Sequence, residues 1–292
     1  MNKLHNTKAG RIFDVFNLIF LMALAVTMVL PFIYVIAASF ATEAEIATRS
    51  FFLWPKEVTL EAYKYIFSTP AFMRSLLVTI GVTIGGTLIQ LFFTFSFAYP
   101  LSRRYLKGRK TLLNMVIVAM LFSGGMIPTF LVVKGLGLLD TYWALMLPAA
   151  ISPFNLMIIK NFFQEIPMEL EESARMDGAT ELTILTKIML PLSKPVIATF
   201  TLFYAVGIWN DFMSGLLYIN DNQKWPIQLL LRQITLSSSA LNNDALLDPN
   251  YIPPEQGMKF AVIIVATLPI LIFYPFLQKH FAKGMLVGSV KG

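Results

Sequence analysis

Six apolar runs, each long enough to cross a lipid bilayer as an α-helix, set the limits on what this chain can fold into. Crossing about 30 Å of hydrocarbon takes about 20 helical residues. The third run contains SGGMIP at 123–128, which is expected to break or kink its helix. Hydrophobic residues make up 56% of the 292 residues and charged residues only 14%, far from the average of soluble globular proteins. The sequence therefore predicts an all-α, multi-pass integral membrane protein, a single domain over residues 1–292. The predicted spans lie near residues 14–39, 72–100, 111–133, 141–161, 195–219 and 259–281.

The distribution of lysine and arginine predicts the orientation of these spans, because cytoplasmic flanks accumulate both residues. If both termini are cytoplasmic, 15 of the 23 basic residues lie on the inner side and eight on the outer side. The connection between the fourth and fifth spans, residues 162–193, is then cytoplasmic as well. The net charge of +6 follows from this topology and from contact with anionic membrane lipid. It gives no reason to expect a nucleic-acid partner.

The cytoplasmic connection carries a polar segment, EESARMDGATELTILTKIMLP (171–191), that predicts a helix-turn-helix. Pro167 suits the first position of a helix, because its missing N–H would have no partner there. Glu171 and Arg175 are four residues apart and can form an ion pair on that helix. Gly178 is expected to end the helix in the left-handed conformation that glycine adopts without strain. These rules predict a first helix over 167–177.

The second helix of the pair is predicted to start after Thr180, which can cap its N-terminus. Leu182, Leu185 and Ile188 recur at helical spacing and are expected to line one face. Pro191 marks the turn back toward the membrane. Two interpretations of the pair stay open: it lies on the inner leaflet as an amphipathic surface element, or it sits in a groove of another protein. The acids of the first helix favour the groove, since helices on lipid surfaces carry lysine and arginine.

The spacing within this segment resembles the EAA loop of the membrane subunits of bacterial ATP-binding-cassette (ABC) importers. The matching positions are Glu172-Ser173-Ala174, Gly178, Ile188 and Leu190-Pro191, with Ser173 where alanine is usual. Two more stretches resemble the carbohydrate branch of this family, which includes the maltose permease: Trp209-Asn210-Asp211-Phe212 and the ending KGMLVGSVKG (283–292). The ending is most similar to permeases for complex oligosaccharides, among them those for alginate oligosaccharides. The resemblance extends over essentially the whole chain.

This resemblance implies a type I ABC importer transmembrane domain in the bacterial inner membrane, with six spans and both termini cytoplasmic. The helix at 167–177 would be a coupling helix that docks in a cleft of a separate ATPase. By the same resemblance Gly178 makes the turn, and Glu172, Ala174 and Asp177 lie near the contact. The sequence contains no GxxxxGK[ST] loop to cradle phosphates. ATP and Mg²⁺ are therefore expected on the partner ATPase, and this chain is expected to bind no cofactor or metal and to be no enzyme.

The family also implies a heterocomplex around this chain. Its members in the carbohydrate branch pair with a second homologous permease, two ATPases and an extracytoplasmic solute-binding protein, and they import an oligosaccharide. The outer loops 40–71 and 220–258 are candidate contacts for the binding protein, or solvent-exposed connections without a partner. Within the second loop, 226–236 is predicted to be a short surface or interfacial helix. The tail residues are candidate ATPase contacts, or part of a free polar end: Gly288, Lys291 and Gly292.

Polar side chains inside the spans are candidates for the substrate path, because they are costly to place in lipid. They are Asn155 in the fourth span and Tyr204, Trp209, Asn210 and Asp211 in the fifth. Aromatic faces beside amide and carboxylate groups suit a sugar. The alternative for Asp211 is a position near the outer boundary, where it caps a helix or pairs with the partner permease.

An ion-coupled secondary sugar carrier is the alternative function. Such a carrier needs ionisable or unwound sites near the bilayer midplane. The acidic residues inside the predicted spans, Asp14 and Asp211, each lie near an end. An intramembrane enzyme is disfavoured too, because the chain has no cysteine and its two histidines, His5 and His280, lie near opposite termini. These observations favour the ATP-driven importer.

Overall fold

Helices make up the regular structure of this chain wherever the computed structural model describes it, at residues 8–236 and 255–288. Within those ranges the predicted all-α architecture is confirmed. The chain divides into two compact units. The first comprises residues 1–69 and 233–267, and the second comprises residues 70–232 and 268–292.

The first unit is built on one long apolar helix, α1 (Lys8–Ser39). Residues 11–29 of α1 are exposed along the whole stretch, as a lipid-facing helix would be. Its C-terminal end packs Ala37 and Ala38 against Ile46 and Phe52. The other helices of this unit are α2 (Glu43–Thr48), α3 (Glu61–Ser68) and the first part of α15 (Glu255–Gly288).

The second unit is organised around α4 (Pro70–Ser102), which packs on α8 (Pro153–Glu165) and α12 (Lys194–Trp209). A five-residue π-helix, Leu185–Met189, lies between α10 and α11, and a 3₁₀ turn spans Asn222–Lys224. The remaining helices are α5 (Arg109–Leu121), α6 (Met126–Gly135), α7 (Trp143–Met146), α9 (Glu169–Met176), α10 (Glu181–Ile184), α11 (Leu190–Leu192), α13 (Met213–Tyr218) and α14 (Ile227–Leu236), which continues into the first unit.

An aromatic core fixes the C-terminal end of α4. Phe163 of α8 is fully buried and makes edge-on contacts with Phe95 and Tyr99 of α4, at ring distances of 5.8 and 6.1 Å. Each such pair contributes about 0.5–1.5 kcal/mol beyond the area that it buries. Ile184 and Met189, from the segment after α9, belong to the same core. The predicted cytoplasmic helix pair is therefore anchored directly on α4 and α8.

Proline and glycine interrupt several of the predicted spans. Of the described helices, α1 and α4 are long and apolar enough to cross a membrane singly. The predicted break in the third run is confirmed, because α5 and α6 meet at 116° and Gly125 takes a φ of +86°. A second bent pair, at 82°, joins the segment 181–192 to α12 just after Pro191, where the turn was expected.

The fourth predicted span, 141–161, is not one helix. It is split into α7 and α8, with Pro148 and Pro153 in or next to the break. Neither proline has an N–H for an intrahelical hydrogen bond. Ser152 caps α8 by accepting the N–H of Asn155 at 3.4 Å. The apolar composition of this run therefore concealed a break, and the count of six spans stays a prediction.

Candidate functional site

The helix-turn-helix of residues 169–189 turns at Gly178, which takes a left-handed φ of +82° as predicted. A Cβ at this position would meet no atom within 4 Å, so the backbone conformation alone demands glycine. The hydroxyl of Thr180 caps α10, again as predicted. α9 begins at Glu169 rather than at Pro167, a difference of the size by which helix boundaries ordinarily vary.

The buried face of the second helix differs from the prediction. Leu182 is 70% exposed, and Leu185 and Ile188 are only half-buried. Ile184 and Met189, five residues apart, are fully buried instead. The π-helix explains the change, because its i to i+5 hydrogen bonds bring residues of that spacing onto one face. The α-helical spacing assumed from the sequence was therefore wrong here.

A fully buried carboxylate, Glu171, joins α9 to the end of α4. Its Oε1 lies 2.5 Å from a guanidinium nitrogen of Arg103, which directly follows α4 and is also buried. Its Oε2 lies 3.4 Å from Arg175, which confirms the predicted ion pair between residues four apart. Burial raises the pKa of Glu171, and the charges of Arg103 and Arg175 oppose that rise. Because unpaired buried charges are strongly destabilising, a cation at each oxygen is what allows this carboxylate to be buried.

Glu181, the first residue of α10, also contacts residues at the C-terminal end of α4 and just after it. Tyr99 and Tyr105 donate to its Oε2 at 2.8 and 3.2 Å, and Arg175 lies 3.1 Å from its Oε1. Burial alone would raise the pKa of Glu181, but these hydrogen bonds and the charge of Arg175 prevail and lower it. Charged and phenolic groups thus join α4, α9 and α10 in a network that we call the ionic base: Tyr99, Arg103, Tyr105, Glu171, Arg175 and Glu181.

The exposed residues around the turn form a second surface, which we call the tip: Glu172, Ser173, Met176, Asp177, Gly178 and Leu182. Met176 is 89% exposed, and it lies among carboxylates. Leu182, on the other side of the turn, is also exposed, so the tip presents two large apolar side chains and two carboxylates. The other residues predicted from the EAA resemblance are not at the tip, since Ala174 and Leu190 pack on the core, Ile188 is half-buried and Pro191 follows the π-helix.

Two of the predicted path residues, Tyr204 and Asn155, lie together. The Tyr204 hydroxyl hydrogen-bonds Thr94 Oγ1 at 3.0 Å, and it also hydrogen-bonds the side chain of Asn155. These residues come from α12, α4 and α8, so one polar contact joins three helices inside an apolar core. Tyr204 is 5% exposed and therefore bridges helices here rather than facing open space.

The other predicted path residues lie at the end of α12. Trp209 is buried, and the amide of Asn210 donates to the carbonyl of Val206 at 3.0 Å. Asp211 caps α13, where its Oδ1 accepts the N–H of Ser214 at 3.1 Å. A cavity of about 10 Å³ beside Asp211 has room for about one water and none for a sugar. Asp211 therefore caps a helix in this structure, and its contact with a sugar stays a prediction.

Several predicted contact residues fall outside the described part of the chain. Lys291 and Gly292 are among them, and Gly288 is the last residue of α15. In the loop 220–258 the described residues include α14, the predicted short helix, whose Ile227 is fully buried. In the chain as described, no three His, Cys, Asp or Glu side chains are grouped so as to hold a metal ion.

The sequence of this chain matches the family described as "Binding-protein-dependent transport system inner membrane component" over residues 4–287. The chain belongs to this family. It is accordingly an inner membrane permease of ABC transport, with helices apolar enough to cross the bilayer. Family membership supports the ATP-driven importer over the ion-coupled carrier.

Individual members of the family resemble this permease along their whole length. Protein LplC of Bacillus subtilis (strain 168) is 66% identical, and the alignment covers 100% of this chain and 99% of that protein. The polygalacturonan/rhamnogalacturonan transport system permease protein YtcP of the same organism is 58% identical over 97% of this chain and 99% of that protein. In the crystal structure of a bacterial ABC transporter involved in the import of the acidic polysaccharide alginate, one chain is 32% identical with a TM-score of 0.88. That match covers 94% of this permease and 98% of the other chain.

Sequence reasoning missed the α4 side of the ionic base. From the sequence, Arg103 was only one of the basic residues predicted on the inner side, and no role was predicted for Tyr99 or Tyr105. A basic residue just past an apolar run is ordinary in membrane proteins, so nothing local marks Arg103 as the partner of Glu171. Only the packing of α4 on α8 brings residues 103 and 171 together.

Proposed function

We propose that this permease imports acidic oligosaccharides by alternating access, driven by ATP hydrolysis on a separate subunit, with six spans and both termini cytoplasmic. The observation that carries the proposal is the exposed tip, held on an ionic base in which Arg103 and Glu171 are buried, in a chain that matches the importer family over residues 4–287. An exposed protrusion with a rigid base is suited to receive force from another protein.

The tip is the proposed docking surface for the ATPase. Met176 and Leu182 offer apolar side chains, and Glu172 and Asp177 offer carboxylates at the edge. Such a surface fits a groove with an apolar floor and basic margins. ATP and Mg²⁺ would bind to the ATPase, and closure of two ATPases would swing α9 and switch the pathway between inward-facing and outward-facing states.

The acidic class of substrate is supported by the similar proteins. The relative that is 58% identical is named for polygalacturonan and rhamnogalacturonan, and the structural neighbour belongs to an importer of the acidic polysaccharide alginate. We propose Tyr204 and Asn155 as path residues, because a hydroxyl and an amide that now bond each other can bond sugar hydroxyls when the helices separate. Trp209, Asn210 and Asp211 would lie at one end of that path.

The proposed assembly contains a second homologous permease, two ATPases and an extracytoplasmic solute-binding protein. The family description itself names transport that depends on a binding protein. The loops 40–71 and 220–258 are the proposed contacts for that protein, and the tail with Gly288, Lys291 and Gly292 is a proposed ATPase contact.

Reconstitution in liposomes tests this function. The permease would be assembled with its partner permease, ATPases and binding protein, and ATP hydrolysis measured with trigalacturonate or with maltotriose as the neutral control. We expect trigalacturonate to stimulate hydrolysis and maltotriose not to. Uptake that continues without ATP and collapses with the ion gradient would overturn the importer, and stimulation by maltotriose alone would overturn the acidic class.

A pair of methionine variants tests the docking surface. Met176→Lys places a charge on the tip, whereas Met168→Lys makes the same change just before α9, away from the turn. We expect the ATPase to dissociate during purification from the first variant and to remain on the second. Equal retention by both variants would contradict docking at the tip.

A further inference from the structure

We propose, on the basis of the function above, that the buried ion pair between Arg103 and Glu171 transmits movement of α9 to α4. The segment after α9 leads along the chain into α12, so α12 is pulled directly when the tip moves. α4 has no such covalent link, because residues 103 and 171 are 68 positions apart in the sequence. The ion pair supplies a link of fixed geometry between the tip and α4.

Arg103 is held firmly on the α4 side. It follows the last residue of α4, and its guanidinium stacks over the ring of Tyr99 at 5.0 Å. The same guanidinium lies 3.4 Å from the carbonyl oxygen of Phe163 at the end of α8. A side chain fixed by both helices has little freedom to follow Glu171 unless α4 and α8 move with it.

Glu171 is held equally firmly on the tip side. It lies inside α9, its side chain is fully buried, and Arg175 on the next turn pairs with its second oxygen. The turn at Gly178 follows directly on this short helix, which ends at Met176. Displacement of the tip therefore displaces this carboxylate, and the 2.5 Å contact passes the displacement to Arg103.

The chemistry of the pair separates transmission from simple packing. Two apolar side chains of similar volume would hold the helices together at least as well, because an ion pair loses its hydration when it is buried. Apolar side chains can slide over one another, whereas a guanidinium and a carboxylate favour one distance and direction. The ion pair therefore adds a fixed relative position of α9 and α4.

The contacts of Glu181 form a weaker, outer link to α4. Tyr99 and Tyr105 both reach this carboxylate, but its side chain is 55% exposed, so water can replace either partner. The buried pair is shielded from such exchange. Transmission is therefore assigned to Arg103 and Glu171, with Glu181 restricting the rotation of α10.

A set of paired substitutions in the reconstituted complex tests this assignment. The variants are Arg103→Met, Glu171→Leu, the apolar double Arg103→Met/Glu171→Leu, and the exchanged double Arg103→Glu/Glu171→Arg. The measurements are ATPase retention, thermal unfolding and the number of ATP molecules hydrolysed per sugar imported. Each single variant should lower both stability and coupling, because it leaves one charge buried without its partner.

The apolar double distinguishes transmission from stability. We expect the apolar double to unfold near the temperature at which the unmodified protein unfolds and to keep its ATPase, because apolar side chains suit these buried positions. The number of ATP molecules used per sugar should rise about 2- to 30-fold. The exchanged double should restore only a small part of the coupling, because an arginine at position 171 would also lie beside Arg175. If its opposite orientation prevents assembly, Arg103→Lys, which keeps the charge and loses the planar guanidinium stacked over Tyr99, should give an intermediate ratio.

Two outcomes would overturn the proposal: an unmodified coupling ratio in the apolar double, or an Arg103→Lys ratio as poor as that of Arg103→Met. Failure of the proposed function looks different. In that case the unmodified complex itself would show no ATP hydrolysis stimulated by sugar.

Discussion

Substitution of Gly178 tests whether the shape of the turn, rather than its composition, makes the tip functional. A residue with a Cβ in the left-handed region costs about 1–2 kcal/mol relative to glycine. No atom lies within 4 Å of the position that this Cβ would take, so no steric clash adds to that cost. Gly178→Ala should therefore shift the equilibrium between the formed and open turn by about 5- to 30-fold. Gly178→Asn should cost less, since asparagine tolerates φ near +82°, and Gly178→Val should cost more.

Hydrogen exchange and ATPase retention would measure this series together. The amide of Gly178 donates to Arg175 at 3.0 Å and that of Ala179 to Ala174 at 2.9 Å, so both amides report opening of the turn. We expect exchange at these amides to increase in the order Gly, Asn, Ala, Val, and ATPase retention to fall in the same order. Membrane insertion should not change.

Gly81→Ala is the matched control. Gly81 lies within α4, has open space around its Cβ position and has no left-handed φ. Alanine there should stabilise the helix by about 0.5–1 kcal/mol and leave ATPase retention unchanged. The reasoning is refuted if Gly178→Ala exchanges and docks like the unmodified chain, or if Gly178→Asn is more damaging than Gly178→Val.

Two further substitutions test the packing and the loops of the second unit. Gly86→Ala would place a Cβ 2.8 Å from Cδ1 of Ile208, where α4 meets α12. Because Cδ1 is the movable end of that side chain, the substitution should lower the free energy of unfolding by at most about 1 kcal/mol, which thermal unfolding would show. The pKa of Asp140 is lowered, chiefly because its carboxylate accepts the backbone N–H of Asp221. The ionised carboxylate therefore stabilises the folded state. That contribution is complete above the ordinary pKa of 3.8 and is lost as the pH falls through the lowered pKa. Asp140→Asn should remove that part of the acid sensitivity, seen as a flatter dependence of the unfolding temperature on pH below about 4.

Local rules predicted the individual turns and caps well. Gly178, Thr180 and the Glu171–Arg175 pair depend on residues at most a few positions apart, and each was found as expected. The spacing of Leu182, Leu185 and Ile188 failed because it assumed an α-helix. π-helices are rare, and here the π-helix brings Ile184 and Met189 together into the core on α4 and α8.

Hydropathy predicted the apolar composition of the spans but not their continuity. The run 72–100 became one long helix, α4, whereas 141–161 became two helices with Pro148 and Pro153 at the break. A window average counts proline as one residue among many, although one proline removes a hydrogen bond and clashes with the preceding turn. The partner of Glu171 was out of reach for a different reason, because only the packed unit brings Arg103 to it.

The adjacent acids Glu171 and Glu172 show how the segment serves two needs at once. Successive residues on an α-helix point about 100° apart, so two neighbouring carboxylates face different surroundings. Glu171 is fully buried against Arg103, while Glu172 is exposed at the tip. A single face of acids would suit either an inner anchor or an outer contact. Two diverging acids on one short helix can serve both needs, so α9 binds this chain through Glu171 and, in the proposed function, the ATPase through Glu172. On that proposal, force applied at Glu172 acts on a helix whose inner side is held by a buried ion pair.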